Sequence, residues 1–120
     1  MPKINLCPLK HLASTFGGKW KLPIICILSS EEFAPKRYSV IKRRLGDITN
    51  LMLARSLREL EDSELVHREQ YNEVPPRVEY SLTEHGKETL SFLSHAAQWA
   101  VNDMKRKKIN LYCDKCVVID

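Results

Sequence analysis

The 120-residue chain has no apolar run close to the ~20 residues a membrane-spanning helix needs, which excludes a helical membrane protein. Its first residues, Met1-Pro2-Lys3-Ile4-Asn5-Leu6, lack the apolar stretch of a secretory signal, so a cytoplasmic location is expected. In that compartment the four cysteines are expected to be thiols, and any disulfide conditional rather than a structural staple. Internal repeats and low-complexity segments are absent. No histidine and acid stand beside a cysteine at an interpretable spacing, which argues against a thiol-dependent enzyme, and no cofactor is expected. Strong charge of one sign is missing too. The net charge of +4 permits a polyanionic partner without demanding one.

What is present describes an ordinary globular domain, with 43% hydrophobic and 28% charged residues. One domain over residues 1–108 is expected, followed by a tail, 109–120, that carries Cys113 and Cys116. The positive charge is clustered at Lys36-Arg37, at Lys42-Arg43-Arg44 and at Lys105 to Lys108.

The most informative stretch is Ile48 to Leu65. Leu53, Leu57 and Leu60 recur at i, i+4 and i+7, which places them on one face of a helix. Leu51, Ala54, Arg55 and Arg58 fall on or near the opposite face, and Thr49 can cap the free N–H groups at the start. A helix that keeps small, uncharged and cationic side chains away from its core suits the DNA major groove. An ordinary surface helix would show the same pattern, so the context has to decide.

Upstream, Cys7-Pro8 starts a helix with proline at its first position, and Gly17-Gly18 ends it. A second helix from about Lys19 carries Trp20, Ile24, Ile25, Ile27 and Leu28 and is apolar on nearly every side, as a central buried helix is. Ser29 to Lys36 reads as a loop and Arg37-Tyr38 as a short strand. Ser39 is the expected cap of a third helix, Val40 to Leu45. Gly46-Asp47 then turns into the amphipathic helix, and two helices joined so tightly fit a helix-turn-helix.

Beyond Leu65 the period becomes alternating. Val66 to Tyr71 and Arg77 to Leu82 read as strands joined by the proline-rich Asn72-Glu73-Val74-Pro75-Pro76. Thr83 caps one further long helix, running to about Lys107, with an apolar stripe wider than the domain's own core needs. A partner subunit is the expected use of that surplus. The fold class is therefore α+β and mainly helical: a winged helix-turn-helix with a two-stranded β-hairpin wing and a long C-terminal dimerisation helix.

These pieces together resemble the HxlR-type winged helix-turn-helix transcriptional regulators. Cys7-Pro8, Gly17-Gly18-Lys19-Trp20, Leu57-Arg58-Glu59-Leu60-Glu61 and the wing Glu73-Val74-Pro75-Pro76-Arg77-Val78-Glu79-Tyr80-Ser81-Leu82-Thr83-Glu84-His85-Gly86 carry the resemblance, in family order. It implies a sequence-specific regulator of transcription, without catalysis, that binds double-stranded DNA as a homodimer through its first and last helices. It places Thr49, Asn50, Leu51, Ala54, Arg55 and Arg58 toward the groove and Arg77 on the wing. Leu51 departs from the basic residue usual in the family, while Asp47 and Glu64 replace glycines.

A two-fold dimer of this kind reads half-sites about one helical turn apart in a near-palindromic operator. Arg55 is the expected base contact, since its fork matches guanine, with Lys42, Arg43 and Arg77 expected on phosphates. Cys7 is the candidate redox sensor: a helix N-terminus, with Lys10 and His11 one turn on, favours the reactive thiolate. Cys26, inside the apolar helix, reads as core. Cys113-Asp114-Lys115-Cys116 suits half a zinc site, a reversible disulfide, a redox partner of Cys7 or two incidental thiols. A thiol- or metal-dependent redox protein using Cys7 and Cys113/Cys116 is the alternative reading.

Overall fold

Ile24, Ile25 and Leu28 of α2 (Lys21–Phe33) are completely excluded from solvent in the computed structural model, which describes residues 6–110. Leu53, Leu57 and Leu60 of α4 (Asn50–Asp62) pack into the same core, together with Ile41 of α3 (Tyr38–Leu45). The three-residue, four-residue spacing of the leucines is therefore the spacing of the buried stripe. Tyr80 and Leu82 of β3 (Arg77–Leu82) and Val66 of β2 (Val66–Tyr71) close the core from the sheet side.

The helix α1 (Pro8–Phe16) opens as expected, with Pro8 at its first position and Cys7 as cap residue. It stops at Gly17, where a Cβ would stand 2.5 Å from the Ala13 carbonyl oxygen. The second helix starts at Lys21 rather than Lys19, with Trp20 as its cap. Pro23 thus falls in the first turn, where its missing N–H costs nothing. The end of α2 departs from the simple loop expected. Ser30 is extended, and Glu31, Glu32 and Phe33 all take left-handed φ values of 54°, 57° and 65°. Lys36, a residue only 4% exposed, braces this turn: its ammonium donates to the carbonyls of Ser30 (2.9 Å) and Ala34 (2.7 Å). Burial pushes the Lys36 pKa down, and the Glu31 carboxylate partly offsets this.

Further expectations are corrected here. The short strand is β1 (Lys36–Arg37), so Tyr38 opens α3 and Arg37, not Ser39, is its cap residue. The strand pairs with β3, Lys36 opposite Tyr80, and the wing is thus part of a three-stranded antiparallel sheet in the order β1-β3-β2. The single last helix is divided at Thr89 into α5 (Glu84–Glu88) and α6 (Leu90–Arg106). Thr83 caps α5 as expected, its hydroxyl accepting from the Gly86 N–H at 2.9 Å. The break follows from Thr89, whose buried hydroxyl donates back to the Gly86 carbonyl at 2.6 Å and tightens the turn.

The corner after α4 is held by a pair of main-chain bonds, from Leu65 N–H to Leu60 O at 3.0 Å and from Glu64 N–H to Glu61 O at 2.9 Å. This is a Schellman ending, and it puts Glu64 at a φ of 64°. A glutamate therefore occupies a conformation that glycine adopts at less cost.

Candidate nucleic-acid interface

Thr49 caps α4 as the sequence suggests, its hydroxyl accepting from the Met52 N–H at 3.1 Å. From that start the helix divides cleanly. Leu53, Ser56, Leu57 and Leu60 are buried, whereas Asn50, Leu51, Ala54, Arg55 and Arg58 are exposed. Arg55 is 70% exposed and touches Glu59 one turn on, Nε to Oε2 at 3.4 Å.

Two contacts fix this helix against the body. Lys21 Nζ lies 3.1 Å from Glu59 Oε1, linking α2 to α4. The same ammonium donates to the Thr15 carbonyl of α1 at 3.4 Å. Lys21, helped by Arg55, holds the Glu59 carboxyl below the ordinary carboxylate range. At the other end, the Tyr38 hydroxyl donates to Asn50, to its carbonyl oxygen at 3.1 Å and its side-chain Oδ1 at 3.2 Å.

The cationic run on α3 is not uniform. Arg43 is exposed and Lys42 half-buried. Arg44, exposed as well, is tied to the end of α2, pairing with Glu31 and donating to the Ser30 hydroxyl at 3.1 Å. That guanidinium is also the main reason the Glu31 carboxyl sits below its ordinary range.

On the wing, Arg77 is clamped between Glu73 (2.8 Å) and Glu79 (3.2 Å), with its guanidinium 4.0 Å from the centre of the Tyr71 ring. Two carboxylates and an aromatic face occupy the group that sequence placed on phosphate. Arg68 was not foreseen. The register pairs it with Tyr80, whose side chain faces the core, so Arg68 lies on the strand face turned toward α4. There it lines an open concavity with Leu51, Ala54, Arg55, Arg58, Glu61, Asp62 and Tyr80. Matching the alternation of Val66, Arg68 and Gln70 to that of Tyr80 and Leu82 would have found it.

Cys7 is exposed at the start of α1, and its side chain makes no capping bond to the helix. Cys26 is half-buried and packs against the core. Cys113 and Cys116 lie outside the described residues. Among the described residues, no group of three or more His, Cys, Asp or Glu side chains could hold a metal ion, and no helix is long and apolar enough to cross a membrane.

A short turn between α3 and α4, an outward cationic helix face and a flanking β-hairpin define a winged helix-turn-helix, the fold of a class of DNA-binding transcriptional regulators. Residues 15–108 match the HxlR-like helix-turn-helix family, and the chain belongs to it. An HTH-type transcriptional regulator of Methanothermobacter thermautotrophicus is 47% identical over 94 residues, 78% of this chain and 70% of the relative. The redox regulator HypR in its reduced form superposes with a TM-score of 0.78 at 34% identity, covering 87% of this chain and all of that one. The reduced form of the transcriptional regulator YodB from Bacillus subtilis gives 0.69 at 32% identity, over 92% of this chain and 97% of its own.

Proposed function

We propose that this regulator acts as a homodimer that binds a near-palindromic DNA operator through α4, sequence-specifically and without catalysis. The observation that carries the reading is the division of α4, whose Leu53, Leu57 and Leu60 are buried while Asn50, Leu51, Ala54, Arg55 and Arg58 remain exposed on a capped and anchored helix. Arg55 is the base-reading side chain, and Thr49, Asn50, Leu51, Ala54 and Arg58 surround it in the groove. Lys42, Arg43 and Arg68 hold phosphates, which contribute affinity without sequence information. Arg77 braces the wing instead, where Glu73 and Glu79 pair with its two terminal nitrogens. The dimer reading is supported by α1, none of whose residues is buried, and by the exposed Leu9 and Trp99. Residues 1–108 form the DNA-binding and dimerisation unit, and 109–120 a tail.

Exposure of Cys7 at a helix N-terminus also supports an oxidant- or electrophile-responsive regulator, in line with the redox regulators it resembles. Selection of binding sites from random duplexes, with and without a thiol oxidant, tests both parts. Enrichment of a two-fold symmetric site, with affinity falling steeply as salt rises, is the expected result. Absence of any salt-dependent DNA affinity would end the DNA reading. Equal binding by oxidised wild type and oxidised Cys7→Ser would end the redox reading alone.

A further inference from the structure

Leu51 is 77% exposed in the first turn of α4, on the face that Arg55 and Arg58 share. It is not needed by the core, because Leu53, Leu57 and Leu60 already supply the buried stripe. Its neighbour Asn50 is also exposed, and it is in contact with Tyr38. The single Tyr38 hydroxyl proton is shared between the Asn50 carbonyl oxygen at 3.1 Å and its side-chain Oδ1 at 3.2 Å, and the side-chain oxygen faces Tyr38. The amide nitrogen is therefore the end left to face outward, as a hydrogen-bond donor.

Building on the DNA-binding reading, we propose that this first turn reads thymine. Leu51 contacts the C5 methyl group, Asn50 donates to O4, and Tyr38 is a positioning residue that sets the direction of the Asn50 amide. Thymine is the base that shows an acceptor and a methyl group side by side in the major groove. Cytosine presents a donor where thymine presents O4, so a fixed donor on Asn50 rejects it. An amide free to flip would accept from cytosine as readily as it donates to thymine.

The test starts from the symmetric site selected on random duplexes. Each thymine is replaced in turn by deoxyuridine, which removes only the methyl, and by 5-methylcytosine opposite guanine, which keeps the methyl and inverts the hydrogen bond. One thymine per half-site is expected to respond, with deoxyuridine weakening wild-type binding about fourfold, the value of one buried methyl-sized group. Leu51→Ala is expected to bind thymine and deoxyuridine alike. Tyr38→Phe is expected to keep the deoxyuridine penalty, lose discrimination against 5-methylcytosine and retain wild-type affinity for random duplex. A selected site with no thymine sensitive to deoxyuridine overturns the inference while leaving the DNA reading intact, as does a Leu51→Ala variant that keeps the penalty. A Tyr38→Phe variant with unchanged discrimination removes the positioning role. Failure to bind any duplex overturns the DNA reading and this inference with it.

Discussion

The ammonium of Lys21 and the carboxylate of Glu59 meet at 3.1 Å, and the second Glu59 oxygen lies 3.4 Å from Arg55 Nε. A buried helix and an exposed arginine are thereby joined through one side chain. In the proposed reading, this contact holds Arg55 from behind and presents its guanidinium in a fixed direction.

Arg55→Ala is expected to cost ~1–3 kcal/mol on the selected site and almost nothing on random duplex, because a bidentate base contact is lost while phosphate contacts remain. Lys42→Ala should weaken both by the same factor and lower the steepness of the salt dependence. Titrations of the two variants against specific and random DNA at several salt concentrations make the comparison. Equal losses on both DNAs for Arg55→Ala would contradict its role.

The depressed pKa of Glu59 has a signed consequence. A carboxyl held below its ordinary value of 4.5 in the folded state favours folding above that pH, and the contribution disappears as pH falls through the depressed value. Glu59→Gln should thus be less stable than wild type near neutrality, and the gap should close below about pH 4.5. Denaturant midpoints measured from pH 7 down to pH 3 test this. A gap that stays constant across that range would show that the ion pair with Lys21 is not its source.

Much of this arrangement is legible in residue order because it is local. The spacing of Leu53, Leu57 and Leu60, the cap at Thr49 and the alternation of Val78, Tyr80 and Leu82 each follow from a helical or strand period. What escapes is non-local. The short strand β1 starts one residue earlier than expected, and its pairing with the edge of β3 has no signature in periodicity. Arg43 and Arg44 are indistinguishable as neighbours in a basic run, yet only Arg44 meets Glu31 across the fold. Arg68 and Arg77 differ for the same reason: strand register decides which arginine faces α4 and which meets the carboxylates.

Two substitutions around the corner after α4 should move stability in opposite directions. A Cβ on Gly86 would stand 2.2 Å from the Leu65 carbonyl oxygen, backbone against backbone, so Gly86→Ala should destabilise by about 1–3 kcal/mol. Glu64→Gly relieves a left-handed glutamate and should stabilise by about 1 kcal/mol. Unfolding free energies of both variants, taken at one pH and protein concentration, check the signs. A destabilised Glu64→Gly would mean that the Glu64 side chain contributes more than its backbone strain costs.

The exposed apolar side chains of α1 and α6 give the dimer its sharpest test. Leu9 is 72% and Trp99 69% exposed, and Phe16 and Phe92 meet edge-on at 5.7 Å between ring centres, so these two helices already touch within one chain. A second copy burying this surface through a two-fold axis brings each residue against the same patch of its partner, and one substitution then acts twice. Trp99→Asp should therefore shift the protein to monomer in sedimentation measurements. It should also remove the dependence of the melting temperature on protein concentration that an associating wild type shows. Affinity for a two-half-site operator should fall much further than affinity for an isolated half-site, because only the former requires two recognition helices at a fixed separation. A Trp99→Asp protein that sediments as a dimer, or that loses both affinities equally, would place the subunit contact elsewhere.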